Sequence, residues 1–569
     1  MTPPRAVFLL AALLFFWQLG GHDLWAPDEP YFAEGAREMV VDGEWAVPHV
    51  NGEVTPDKPP LFFWLIALFS LPLGSVTSFT ARLPSALAAL GTVALTMRLG
   101  ARLFGPRTAA LAGGVLATTY LFWEKARWSQ TDALLCFLIW LALAAFEAHR
   151  AGDARGSRAG LLFWLAAALA VLAKGPVGML LPLGIALVVL TTDRDLPRWR
   201  SFAPITGPLL FLVVVGAWIA LATIGGNGEY SVWGALREHF LARGLHGLHH
   251  ERPVWYFAEV LPPNLLPWTA LLPGALVLAW RRRGPADRFL LVAAFFVLLF
   301  FTLSTEKREL YALPSLPAFA LMIAALVAAV CGWHEPAPAP RPPDRRWVTV
   351  AQGLLGALLA LVAAALPFAA ARVDEVSPPA ALALAALLLA TGVATLAYAA
   401  RARPLAAALT PAAGIALTYL IVVTTLYPAW EPKKSARPLA ERLVDLTADS
   451  RAHGVPVLAY ALGNVPKSLA FYTDGLFTVE TDDPTHLARH LERPEPAWAI
   501  ADGNHLHPLP TPLLRRLFVL HRTRLSRQPI LLLTNHPHPN GKPLLDSSPL
   551  PLGLNPLSPD RRPSIPQTP

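Results

Sequence analysis

Apolar runs recur from residue 6 almost to residue 427, and each asks for a hydrocarbon environment that a water-soluble core of this size does not offer. They lie at roughly 6–20, 81–99, 108–123, 133–148, 159–173, 175–192, 203–224, 265–280, 289–303, 310–332, 347–369, 379–400 and 404–427. The chain is 54% hydrophobic and 15% charged, with a mean hydropathy of +0.44. That pattern predicts a polytopic α-helical membrane protein. A formal charge of +8 could suggest a nucleic-acid partner, but the arginines are scattered through short loops between apolar runs and form no basic stripe. Cys136 and Cys331 both sit inside apolar runs, so they are read as free, buried thiols.

The run at 6–20 follows Arg5 and lacks a small-residue cleavage site, so it is expected to stay as a first span. The run at 61–74 is short and broken by Pro72, which suits an interfacial or re-entrant helix as well as a span. Arginine placement decides between them. If 61–74 does not cross, about 13 spans result, on the ~20 residues a crossing needs. One set of loops then carries Arg98, Arg102 and Arg107; Arg150, Arg155 and Arg158; Arg194, Arg198 and Arg200; Arg281, Arg282, Arg283 and Arg288; Arg341, Arg345 and Arg346; and Arg401 and Arg403. Those are the inside loops of the positive-inside rule. The loops left outside have mixed charge, at 20–60, 124–132, 174, 225–264 and 304–309, and are expected to meet in one wet pocket. Simple neutralisation of the basic bias is the alternative for them.

Domain organisation follows. Residues 1–430 are expected to form the membrane domain, with outer loops at 20–80 and 225–264. VPVLAY, LFTVE, AWAIA and PILLLTN read as buried strands, and PKSLAFYTD, PTHLARHLE and PTPLLRRLF as helices, giving a small α/β domain at 431–535. The Pro-rich stretch 536–569 is predicted to be disordered. GGNG at 225–228 lacks a strand-to-helix context and reads as a loop.

Charged groups in so apolar a chain mark candidate chemistry. Asp28 and Glu29 directly follow the first span, and YFAEGAREMV places Phe32, Ala36, Met39 and Val40 on one side of a helix expected to lie on the membrane surface. Either acid could serve as a helix cap instead. Asp57 and Lys58 precede Pro59 and Pro60, whose fixed backbone would present both charges at a set angle. A lysine at headgroup depth can bind phosphate or simply snorkel, and the aspartate could hold a divalent ion. Asp132 opens one run and Lys174 closes another, as catalytic groups or as anchors. His239, His246, His249 and His250 make 225–264 the most histidine-rich loop, without strict zinc spacing. Lys307, Arg308 and Tyr311 stand at the mouth of a run, a suitable phosphate clamp.

DEPYFAEGAREMVVDGEWAVPHVNG followed by DKPPLFFW, ARLPSALAAL, RWSQTDALL, LAKGPVG and EKRELYALPSLPAFALM resembles, in order and spacing, the polyprenyl-phosphate-dependent glycosyltransferases of the GT-C class. More closely, it resembles the bacterial lipid A aminoarabinose transferases and their protein O-mannosyltransferase relatives. The likeness covers about residues 5–330. It implies transfer of a sugar from undecaprenyl phosphate or a similar lipid, with inversion, to an envelope acceptor such as lipid A or a protein. It implies a bacterial inner membrane, an active site facing the periplasm, and no nucleotide sugar. By resemblance, Asp28 is the acceptor base and Asp132 assists it. Lys58, Arg308 and Tyr311 lie near the donor phosphate, and Asp57 with His239 matches a metal site for zinc or magnesium. Glu29, Lys174, Lys307 and His249 are secondary candidates. A transporter would carry its charges in mid-span, whereas here they collect near the run ends.

Overall fold

The computed structural model describes residues 2–55, 58–152, 156–225, 252–333, 342–372, 376–448, 456–463, 465–473, 479–525 and 528–546. The chain is a multi-pass membrane protein. Among the described residues, nine helices are long and apolar enough to cross a bilayer, or ten if the bent pair Tyr256–Asn264 and Thr269–Arg282 is one broken span. Three more expected runs are helical but shorter: α1 (Pro3–Phe16), a helix at Pro106–Thr118 and another at Val177–Thr192. Neither cysteine is bonded; Cys136 is buried and Cys331 only half-buried.

Chain order continues with α2 (Asp28–Asp42), α3 (Leu61–Ser70) and α4 (Ser78–Phe104). Thr77 and Thr80 exchange side chain and backbone bonds in a capping box that starts α4. After the Pro106–Thr118 helix, α5, comes α6 (Tyr120–Ala126), then α7 (Thr131–Arg150) and α8 (Gly156–Lys174). Gly175, in the left-handed region at φ +81°, ends α8, and Pro176 sets the start of α9, the Val177–Thr192 helix. This turn leaves Lys174 as the last residue of α8.

The path of α3 settles whether it crosses. Ser70 at its end donates to Thr80 Oγ1 at 2.8 Å. Two residues on, the fully buried Arg82 donates to the carbonyls of Leu19 and His22 at 2.9 and 3.0 Å, at the far end of α1. Ser85 donates to the Gln130 carbonyl at 3.0 Å. The start of α3 lies on the same side, since Lys58 acts electrostatically on Tyr311, as does Asp132. Entry and exit of α3 therefore share one face, and α3 does not span.

The opposite face is the basic one. Arg150 forks onto Glu147 at 2.6 and 2.8 Å and reaches Asp193 at 2.7 Å, while Arg288 meets Asp193 from another loop at 2.7 Å. Arg198 donates to the Arg150 carbonyl at 2.6 Å, and Arg281 pairs with Asp344 at 2.5 Å. These bonds tie four of the arginine-bearing loops to one side, as the positive-inside reading required.

The chain divides into two units. The first is Met1–His22, Ala36–His49 and Val54–Trp430; the second is Asp23–Gly35, Val50–Glu53 and Glu431–Pro569. In the second, β3 (Leu458–Tyr460), β4 (Val479–Thr481), β5 (Trp498–Asp502), β6 (Phe518–Leu525), β7 (Gln528–Thr534) and β8 (Lys542–Pro543) form a sheet in the order β4-β3-β5-β7-β6-β8; the labels β1 and β2 belong to the earlier His49–Val50 and Glu53–Val54. β3 pairs in parallel with β4 and β5, through helices at Val465–Thr473 and Pro484–Leu491; the remaining pairs are antiparallel. One apolar layer gathers Leu439, Leu443, Leu469 and Ile500, the other Leu487, Leu506, Leu531 and Leu533.

Three expectations change here. The helix read from PTPLLRRLF ends at Leu514, and Phe518 already begins β6, which adds a strand. The tail read as disordered from 536 carries β8 and the fully buried Leu544, whose N–H donates to the Leu517 carbonyl at 2.8 Å; residues 547–569 lie outside the described ones. Finally, the segments 23–35 and 50–53 belong with the C-terminal unit, not with the membrane domain. Val50–Glu53 is the tip of the β1–β2 hairpin, where Asn51 and Gly52 both take positive φ, an Asn-Gly turn that the sequence spells out.

Candidate active site

In the first unit, α7 begins at Thr131 and carries Asp132 in its first turn, where a helix N-terminus favours a negative charge. Lys174 ends α8, where a helix C-terminus favours a positive one. The two meet: Lys174 Nζ lies 2.5 Å from Asp132 Oδ1, with both side chains largely shielded from water. The same ammonium stands 5.2 Å above the ring of Tyr311. That ring is held in place by stacking on Phe301, centroids 4.7 Å apart and planes 26° apart.

Around this trio the charges of several outer loops converge. Asp132, Arg308, Glu306 and Lys58 all act on the Tyr311 hydroxyl. Arg308 is exposed, Lys58 half-buried, and Asp132 buried at 7% exposure. Lys307, one residue from Arg308, is spent differently. It is buried, and its ammonium donates to the carbonyls of Arg252 and Ser304 at 2.9 and 2.6 Å, which ties its loop to residue 252. Burial pulls its pKa below the ordinary lysine value. Asn264 donates to Glu309 at 3.2 Å and closes the same rim.

Asp28 and Glu29 open α2, and both belong to the second unit. Asp28 is half-buried. Glu29 is fully buried, and its carboxylate accepts the N–H of Trp25 at 2.9 Å, a bond back across the helix start. Glu34 and Glu38 are buried along with Phe32, Ala36 and Met39, so the charged side of α2 is covered as well as the apolar one. A carboxylate in such surroundings needs partners, so α2 is held by polar contacts on its charged side too.

Asp57, His239 and His249 lie outside the described residues. Among the described residues, no group of three or more His, Cys, Asp or Glu side chains could hold a metal ion. The structure thus brings Asp132, Lys174, Tyr311, Arg308 and Lys58 into one charged neighbourhood of the first unit. Lys174 was a secondary candidate in the sequence, and the geometry places it at the centre. Two residues carried no assigned role: Arg82, and Arg127, which donates to the carbonyls of Leu14 and Phe15 at 3.1 and 3.0 Å. Arg127 caps the carbonyl end of α1, and Arg82 holds the turn that follows it through the Leu19 and His22 carbonyls. An arginine opening an apolar run, as in ARLPSALAAL, was the available signal.

Chemically, this neighbourhood suits an anion at the mouth of apolar helices. An ammonium, a guanidinium and a phenol hydroxyl can share phosphate oxygens, while a carboxylate keeps the ammonium in place.

Comparison with known proteins follows the same line. Residues 57–220 match the dolichyl-phosphate-mannose-protein mannosyltransferase family. The undecaprenyl phosphate-alpha-4-amino-4-deoxy-L-arabinose arabinosyl transferase of Pectobacterium carotovorum is 31% identical over 372 residues, covering 63% of this chain and 64% of the relative. The protein of that name from Pseudomonas aeruginosa is 33% identical over 328 residues, 56% of this chain and 58% of its own. The matches thus span about three fifths of these relatives' length. Among solved structures, ArnT from Cupriavidus metallidurans bound to undecaprenyl phosphate superimposes with a TM-score of 0.73 at 21% identity, over 95% of this chain and 99% of that one. The chain has that GT-C fold, and the resemblance read from its motifs holds in sequence as well.

Proposed function

We propose that this chain, a GT-C-fold membrane protein similar to aminoarabinose transferases, is an inverting glycosyltransferase acting at the periplasmic face of a bacterial inner membrane. It moves a sugar from undecaprenyl phosphate, or a like polyprenyl phosphate, to lipid A or another envelope acceptor. The observation that carries this reading is the Lys174–Asp132–Tyr311 arrangement, with Lys58 and Arg308 acting on the same hydroxyl, where apolar helices meet water.

The reaction needs little from an acid. An acceptor hydroxyl attacks the anomeric carbon, the bond to the phosphate oxygen breaks, and the polyprenyl phosphate departs as a stabilised anion. Lys58 and Arg308 neutralise the charge gained by the leaving oxygens, and Tyr311 donates a hydrogen bond to them. Asp132 orients Lys174, and Asp28 takes the acceptor proton. By the motif resemblance, Asp57 and His239, both outside the described residues, would hold a divalent ion, zinc or magnesium; a carboxylate with an imidazole suits zinc better than the oxygen-seeking magnesium. It would add positive charge beside the phosphate, and the steps above are carried by the chain's own groups.

A protein acceptor is the second reading, favoured by the match of residues 57–220 to the protein mannosyltransferase family. Purified protein given undecaprenyl-phosphate aminoarabinose should modify lipid A, read by mass spectrometry, and Asp28→Asn should slow transfer by about a hundredfold or more while leaving a measurable residue. Transfer to a serine- and threonine-bearing peptide in place of lipid A would select the second reading. Transfer to neither, from that donor or from polyprenyl-phosphate mannose, would overturn both.

A further inference from the structure

The C-terminal unit takes in two short pieces of the outer loop and binds the first of them residue by residue. Asp23 Oδ1 pairs with Arg437 at 2.9 Å, Asp23 Oδ2 accepts from Ser435 Oγ at 2.8 Å, and the Asp23 N–H donates to Glu431 Oε1 at 2.5 Å. The Leu24 N–H donates to the Tyr472 hydroxyl at 2.8 Å, and that hydroxyl donates back to the Leu24 carbonyl at 3.3 Å. Trp25 forms an antiparallel bridge with Ser435. Arg437 lies 5.2 Å over the ring of Tyr472, which packs on the apolar layer beneath the sheet. The second piece is pinned by Asn51, donating to Glu480 Oε1 at 3.2 Å.

A tether alone would need no such density of bonds on three consecutive residues. These three immediately precede α2, and Trp25 passes the constraint forward through its bond to Glu29. With residues 23–25 and the Glu29 carboxylate fixed, the direction of the first turn is fixed, and with it the half-buried Asp28 between them. The hydroxyl of Tyr472 is the key contact, because it satisfies both backbone groups of the fully buried Leu24, which have no water to turn to.

We propose that Tyr472, together with Arg437 and Ser435 holding Asp23, is a positioning device that aims Asp28 at the acceptor, and that this is a task of the C-terminal unit. The inference rests on the reading of Asp28 as acceptor base. Tyr472→Phe is the informative variant, since phenylalanine keeps the ring under Arg437 and removes only the hydroxyl. In the full-length protein, kcat for transfer from undecaprenyl-phosphate aminoarabinose to lipid A should fall about tenfold, the scale of a small misplacement of a reacting group. The donor KM should stay within about twofold, because the donor groups lie in the other unit. Hydrogen exchange in peptides covering 23–30 should accelerate while the membrane helices stay as protected as before. In an Asp28→Asn background, Tyr472→Phe should add no further loss, whereas a merely structural role would multiply the two losses. Arg437→Lys should restore part of what Arg437→Ala loses. Wild-type kcat in Tyr472→Phe, or multiplied losses in the double variant, overturns the proposal alone. Wild-type turnover in Asp28→Asn removes the base assignment and this proposal with it.

Discussion

Two charge clusters of the first unit, one at each face, use the same chemistry to opposite ends. On the basic face, Arg150 spends its guanidinium on both oxygens of Glu147 and on Asp193, and Arg288 fills the other side of Asp193. Arg150 also donates to the Pro285 carbonyl, and Arg288 to the Arg283 carbonyl. On the other face, Lys174 has one carboxylate and one aromatic ring as partners, and the neighbouring Arg308 reaches into solvent. The first cluster is saturated and locks loops together. The second sets its cations at the edge of solvent, Arg308 exposed and Lys58 half-buried, and that difference in exposure separates a structural knot from a candidate site.

The largest effects should come from removing one carboxylate on each side. Asp132→Asn should lower transfer by about a hundredfold or more, in the range of a lost charged group in an active site, with the melting temperature in detergent nearly unchanged. Asp193→Asn should do the reverse. It takes the shared carboxylate from Arg150, which is largely shielded, and from Arg288, which is about a third exposed, a loss of about 2 kcal/mol once solvent screening of Arg288 is allowed for, and should lower the melting temperature while surviving protein keeps its turnover. If both variants lose turnover equally at unchanged stability, the distinction between knot and site collapses.

Arg150→Lys should cost less, about 1–2 kcal/mol, because an ammonium cannot reproduce a planar fork onto Glu147 while reaching Asp193. Thermal unfolding reads it. Lys58→Ala should weaken undecaprenyl phosphate binding about tenfold, with kcat affected less, and added salt should narrow the gap to wild type. A salt-independent difference would mean that Lys58 acts through packing.

Much of this contrast was legible in the sequence. The basic loops identify themselves because arginines such as Arg150 and Arg288 interrupt otherwise uncharged stretches, and membrane insertion makes that bias global. The gathering of Asp132, Lys174 and Tyr311 followed from the alternation of faces that the same arginines impose. What stayed hidden depends on partners far along the chain. Asp23 meets Ser435 across 412 positions, and no local periodicity announces such a contact. The helix α2 was foreseen from its spacing, but not the burial of Glu34 and Glu38, because periodicity tells which side is apolar and not what covers the other. β6 was missed because FVLHRTRL turns polar at its end, a pattern that an edge position beside the two-residue β8 accommodates. The Asn51–Gly52 turn was plain chemistry left unused.

The smallest expected effect sharpens the comparison by extending it to the second unit, whose polar interior includes a titratable ring. His490 is buried at 3% exposure, with Nε2 3.0 Å from the Trp498 carbonyl. Burial pulls its pKa below the ordinary value; the bond to Trp498 opposes that, and Arg493 and His486 reinforce it. His521 is lowered as well, by burial and by Arg442. In both cases the fold prefers the neutral ring, so below about 6.5, the ordinary histidine value, the unfolded chain takes up protons that the folded one refuses. Their contribution is therefore complete above pH ~6.5 and is lost as pH falls through 6.5 toward the lowered folded values. Hydrogen exchange of peptides from β5 and β7 should speed up, after correction for intrinsic rates, between about pH 7.5 and 5.5. His490→Gln, which keeps a donor for Trp498 without a titrating ring, should flatten that dependence. An unchanged slope in His490→Gln would assign the pH response to groups other than His490.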